Sequence, residues 1–93
     1  MAYVVLLSEA AKTELASINR SGDKATIRKI AKLLVELQEH PRTGTGQVEQ
    51  FKHFVYPETW SRRINKKYRM IYEIHDIEVY VSVVSLRSHY GDK

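Results

Sequence analysis

The chain has 93 residues, 43% hydrophobic and 28% charged, which suits one small domain and excludes a disordered or fibrous chain. It has no cysteine, so disulfides, thiolate zinc centres and cysteine nucleophiles are excluded together. The net charge is +4, and no apolar run approaches the ~20 residues that span a bilayer, so a soluble cytoplasmic protein is expected.

Tyr3-Val4-Val5-Leu6-Leu7 is apolar at every position and predicts a short strand buried on both faces. Ser8 offers a hydroxyl to cap a helix, with Glu9 at its positive end. Ala11, Leu15 and Ile18 recur at helical spacing, and Ser21-Gly22 supplies the stop. Asp23 caps a second helix with the apolar stripe Ile27, Ile30, Ala31, Leu34 and Leu37. That helix should end at about His40, because the residue before Pro41 resists the α region.

Pro41 to Gln47 holds one proline and two glycines and reads as a loop. Strands follow at Val48 to Lys52, Thr59 to Ile64, Lys67 to Ile74 and Ile77 to Leu86. In the third of these, Tyr68, Met70, Tyr72 and Ile74 share one face, with Arg69, Ile71 and Glu73 on the other. The predicted class is α+β: an N-terminal strand, two packed helices, then a three- to four-stranded, mainly antiparallel sheet. One domain spans 1–93. The helices should bury their stripes on one face of the sheet, leaving the other uncovered; Lys52, Arg63 and Arg69 could lie there, but alternation without strand registers does not settle which side each arginine takes.

The charge is uneven. Between Lys52 and Arg69 stand Lys52, Arg62, Arg63, Lys66, Lys67 and Arg69 against Glu58 alone, which points to a polyanionic partner, nucleic acid or an acidic protein. His40, His53, His75 and His89 are 13, 22 and 14 positions apart, without metal-ligand spacing. Gly44-Thr45-Gly46 is not a phosphate loop, since no helix pattern follows it.

The ionisable groups of the C-terminal half are Glu49, Lys52, Arg62, Arg63, Arg69, Arg87, His89 and Tyr90. They are the kinds of group that metal-free RNA cleavage requires. A base takes the 2′-hydroxyl proton, cations stabilise the phosphorane-like transition state, and an acid protonates the leaving 5′-oxygen. Imidazole, with an unperturbed pKa of about 6.5, suits the acid, and guanidinium forks suit the phosphate.

Four segments carry a more specific pattern: Gly46-Gln47-Val48-Glu49-Gln50-Phe51-Lys52-His53, Trp60-Ser61-Arg62-Arg63-Ile64, Tyr68-Arg69-Met70-Ile71-Tyr72 and Arg87-Ser88-His89-Tyr90. In order and spacing they resemble the Txe/YoeB group of bacterial toxins in the RelE-like superfamily, closely from Pro41 to Tyr90 and in element order before that. The resemblance implies a RelE-like fold and a ribosome-dependent mRNA interferase that cuts the codon in the A site and inhibits translation, with no cofactor and no metal. It implies Glu49 as general base, His89 as general acid, Arg69 as the main stabiliser of the scissile phosphate, and Tyr90 as shaping the site. Lys52 and Arg63 would assist at the phosphate. Arg62, with Lys66 and Lys67, would hold RNA backbone, and Arg87 is a further phosphate-binding candidate.

The partners implied are a cognate acidic antitoxin (YefM/Axe-like), the ribosome and mRNA. Operator DNA would be reached only through the antitoxin complex, no membrane is involved, and a homodimer is compatible with the pattern. The competing class is a RelE-like binding module that keeps the fold and the basic face without cutting.

Overall fold

A computed structural model describes residues 2–52 and 56–86. The elements run β1 (Val4–Leu7), α1 (Glu9–Arg20), α2 (Lys24–Glu39), β2 (Glu49–Phe51), β3 (Glu58–Arg63), β4 (Arg69–His75) and β5 (Tyr80–Ser85). They form one five-stranded mixed sheet in the order β1-β5-β4-β3-β2, an α+β architecture. The strands β2 to β5 form an antiparallel meander, while β1 pairs in parallel with β5 at the far edge.

The caps act as their residue types dictate. Ser8 Oγ accepts from the Ala11 N–H at 3.0 Å, and Asp23 Oδ1 accepts from the Thr26 N–H at 3.1 Å, each satisfying a free donor of a first turn. Gly22 ends α1 with a φ of +80°, a left-handed conformation that costs glycine nothing.

One hydrophobic core lies between the helices and one face of the sheet. Ala11 and Ile18 of α1 and Ile30, Leu33 and Leu37 of α2 join Met70, Tyr72, Ile74, Val81 and Val83. The buried stripe of α2 runs through Thr26, Ile30, Leu33 and Leu37, with Ile27 and Leu34 on its flanks. Leu33 thus takes the place expected for Ala31, which is exposed. Both satisfy helical spacing, and burying the leucine removes more apolar area from water.

β1 also departs from expectation. Val5 and Leu7 pack on the core, but Val4 and Leu6 are 59% and 49% exposed. An apolar run predicts burial on both faces only where both are covered, and the helices cover one. The face away from the helices is not bare: Thr59, Ser61 and Ile71 are buried there. β5 begins later than expected because Asp76 to Val79 forms a turn, with the Val79 N–H donating to Asp76 O at 3.2 Å. No helix among the described residues is long and apolar enough to cross a membrane.

A polar clasp closes one end of the sheet. Arg42 donates from Nε to Glu58 at 2.9 Å and from Nη2 to Asp76 at 2.5 Å. Tyr3 Oη donates to Asp76 at 2.6 Å, and Trp60 Nε1 to Glu58 at 3.0 Å. The Arg42 bond, with that from Trp60, holds the Glu58 carboxyl below its ordinary value, and the Tyr3 bond, with Arg42, does the same for Asp76. A folded-state pKa below the unfolded one gives stability that is full above the ordinary carboxylate range and is lost as pH falls through the lowered values. The thermal midpoint should therefore fall between about pH 5 and pH 3. Glu58→Gln should flatten that slope in melts run across the range, whereas an unchanged slope would show the clasp to be energetically idle.

Candidate active site on the open face

The antiparallel registers decide which side chains meet. Glu49 pairs with Ser61, Ser61 with Ile71, and Arg63 with Arg69. Directly paired residues point to the same face, so Glu49, Ser61, Arg63 and Arg69 all stand on the side away from the helices. Arg69 Nη2 donates to Ser61 Oγ at 2.9 Å and to the Gln47 carbonyl at 3.3 Å, and lies 3.8 Å from Glu49 Oε1. Two neutral oxygens thus fix one edge of the guanidinium beside the carboxylate. Glu49 itself is 71% exposed and its ion pair is long, so both charged groups keep capacity for a ligand.

The loop before β2 sets this meeting. Gly46 has a φ of +100° and lies flat on Arg63, whose N–H donates to its carbonyl. A Cβ at position 46 would run into the Arg63 backbone, so only glycine lets the loop dock there. Gln47 follows with a φ of 51°, uncommon for a residue with a side chain, and in that conformation its carbonyl accepts from Arg69.

Of the site residues expected from sequence, Glu49, Arg63 and Arg69 come together on this face. Lys52 stands exposed just beyond β2. Arg87, His89 and Tyr90 lie outside the described residues, as does His53.

Arg62 is a correction. It is 0% exposed and points into the helix side of the sheet, where it cannot meet RNA backbone. Nη1 donates to Glu36 at 3.0 Å, Nε and Nη2 donate to Tyr72 Oη at 3.3 and 3.1 Å, and Nη2 also donates to the carbonyls of His40, Pro41 and Thr43. Glu36 in turn accepts from the Thr45 N–H at 3.0 Å and from Thr45 Oγ1 at 2.8 Å. Burial pushes the Glu36 carboxyl up, but the Thr45 bonds and the Arg62 and Lys32 charges outweigh it and leave it below its ordinary value. The strand alternation that aims Arg63 at the open face requires Arg62 to point the other way.

Sequence reasoning missed Ser61 and the Gln47 carbonyl as the groups that hold Arg69. Ser61 shares a face with Arg63 by alternation, but its meeting with Arg69 depends on the β3–β4 register. As chemistry, the face offers a carboxylate able to take a proton beside a guanidinium able to hold an anion.

A family model described as YoeB-like toxin of bacterial type II toxin-antitoxin system matches residues 11–90. The toxin YoeB of Mycobacterium bovis is 34% identical over 70 residues, 75% of this chain and 79% of that protein. The YoeB/ParE toxin from Agrobacterium tumefaciens superposes with a TM-score of 0.82 at 24% identity, over 94% of this chain and 99% of that one. A chain of the heterotetrameric YoeB-YefM toxin-antitoxin complex from Staphylococcus aureus superposes at 0.73 and 24% identity, over 97% of this chain and 100% of that one. At such identities the two structures report a shared fold.

Proposed function

The chain belongs to the YoeB-like toxins of bacterial type II toxin-antitoxin systems, and from that premise we propose that it is an endoribonuclease that cuts mRNA in the ribosomal A site. Glu49 takes the proton from a 2′-hydroxyl, whose oxygen attacks the adjacent phosphorus. The P–O5′ bond breaks as His89 protonates the departing oxygen, leaving a 2′,3′-cyclic phosphate and a free 5′-hydroxyl. Arg69 neutralises the charge that builds on the non-bridging oxygens, with Arg63, Lys52 and Arg87 assisting and Tyr90 shaping the pocket. No step requires a metal or cofactor.

The observation that carries this reading is the Arg69 guanidinium, braced by Ser61 and Gln47 with Glu49 at 3.8 Å. A base and an anion-stabiliser within one nucleotide's reach are the minimum for in-line transesterification. The partner is an acidic antitoxin, for which the shared fold with a chain of a YoeB-YefM complex is support. A basic face is masked most simply by an acidic segment that orders as it binds.

Expression without the antitoxin should arrest growth, and His89→Gln should relieve the arrest while the protein still folds. Mapping transcript 5′ ends with and without ribosomes checks the site of action. Cuts at codons only when ribosomes are present support the reading. Arrest by the His89→Gln variant as strong as by wild type would sink the assigned chemistry.

A further inference from the structure

The acid of the buried Arg62–Glu36 pair also grips the loop that leads into the candidate site. Glu36 reaches out of α2 and turns both carboxylate oxygens to one residue. The Thr45 N–H donates to Oε1 at 3.0 Å, and Thr45 Oγ1 donates to Oε2 at 2.8 Å. Arg62 Nη1 donates to the same Oε1 at 3.0 Å, and a guanidinium that is itself fully buried leaves the carboxylate little freedom to turn.

The residues around Thr45 are tied as well. The Thr43 carbonyl accepts from Arg62 Nη2 at 2.9 Å, and the Gly46 carbonyl accepts from the Arg63 N–H. Between them the chain lies so close to Glu36 that a Cβ at position 44 would stand 2.7 Å from Oε1. Gln47 comes next, with its φ of 51° and its carbonyl turned to Arg69 Nη2 at 3.3 Å. A left-handed residue that carries a side chain persists only where its surroundings over-determine it. Because the Thr45 N–H is taken by a carboxylate, this turn is a tether and not a cradle for an anion.

From this chain of contacts we infer that Thr45 is a positioning residue for RNA cleavage: its hydroxyl, bonded to Glu36, fixes the turn that holds the Gln47 carbonyl against Arg69. The two neutral braces of Arg69, Ser61 Oγ at 2.9 Å and the Gln47 carbonyl, both take Nη2. Among the described residues Nε and Nη1 have no partner, so that edge of the fork is left for two phosphate oxygens. If the turn drifts, Ser61 alone remains, and the guanidinium can swing about a single bond. A misplacement of about 1 Å can cost on the order of 10²-fold in rate. This inference rests on the proposed ribonuclease reading, in which Arg69 stabilises the scissile phosphate; Thr45 itself touches no substrate.

The test compares Thr45→Val, which keeps the branched shape and the backbone bond but loses the hydroxyl, with Thr45→Ser, which keeps the hydroxyl. Each variant changes so little that both should fold, which urea melts check. Full-length proteins are assayed for single-turnover cleavage of ribosome-bound mRNA over a range of protein concentrations. Thr45→Val should lower the saturating rate about tenfold and leave the half-saturating concentration within about twofold. Thr45→Ser should return the rate to within about threefold of wild type. In an Arg69→Ala background the same Thr45→Val step should cost less than about twofold, because the side chain it positions is gone.

A hydroxyl that serves only the fold would move the urea midpoint and leave the rate of the folded protein unchanged, or would cost the same factor in both backgrounds. Either result overturns the inference. So does a change confined to the half-saturating concentration, and so does Thr45→Ser as slow as Thr45→Val. If wild-type protein does not cut ribosome-bound mRNA, the ribonuclease reading fails and the role of Thr45 with it. If wild type cuts and Arg69→Ala slows it while Thr45→Val does not, only the role of Thr45 fails.

Discussion

Arg69→Ala is expected to slow single-turnover cleavage of ribosome-bound mRNA by about 10²–10³-fold, equivalent to about 3–4 kcal/mol of transition-state stabilisation. Glu49→Gln should cost a comparable factor through loss of the base. What gives these figures meaning is how little either side chain does for the fold. Glu49 is 71% exposed and its contact with Arg69 is 3.8 Å long, so removing its charge should cost at most about 1 kcal/mol of stability. Arg69→Ala loses the bonds to Ser61 and Gln47, about 1–2 kcal/mol together.

Urea titrations of both variants separate the two scales. Arg69→Lys restores the charge without the planar fork and should recover part of the rate, because a lysine held by Ser61 cannot also span two phosphate oxygens. The double variant should be little slower than the worse single one, since both groups act on one phosphodiester. Rates within about threefold of wild type for Arg69→Ala in a folded protein would remove Arg69 from the transition state.

Part of the open face could be foreseen from sequence because period two is local information. Alternation along β4 puts Arg69, Ile71 and Glu73 on one side and Met70, Tyr72 and Ile74 on the other, but the side that Arg69 takes is not settled by alternation alone. That Glu49 would meet Arg69 needed two registers, β2 on β3 and β3 on β4, together with the docking of Gly46 on the Arg63 backbone. Neither is a matter of periodicity.

The exposure of Val4 and Leu6 escaped for a different reason. β1 pairs in parallel with β5, 76 residues away, and no local pattern says that this places β1 at an edge. Ala31 and Leu33 show that helical phase is loosely coded when two stripes are both apolar. Arg62 shows the converse problem: adjacent arginines look alike in a charge count, yet alternation sends them to opposite faces, one to the side away from the helices and one into the core.

That burial makes Arg62 the position where substitution should damage the fold most. Arg62→Ala would remove the donor shared by the carbonyls of His40, Pro41 and Thr43 and the cation hydrogen-bonded to Glu36. Breaking a buried pair by removing one member costs about 3–5 kcal/mol, against about 5–15 kcal/mol for a whole domain. The variant, made in a Glu49→Gln background so that cells tolerate it, should be largely insoluble or melt far below its parent. Arg62→Lys keeps the charge beside Glu36 but lacks donors for the whole set of carbonyls and Tyr72, so it should fold with an intermediate loss.

The folded lysine variant then carries the decisive measurement. Its affinity for single-stranded RNA, and the salt slope of that affinity, should match the parent, since the side chain never reaches solvent. A protein of parental stability that has lost RNA affinity would return Arg62 to the substrate. It would also mean that the arginine leaves the core to reach it, against the five partners that now hold it between α2, β4 and the loop.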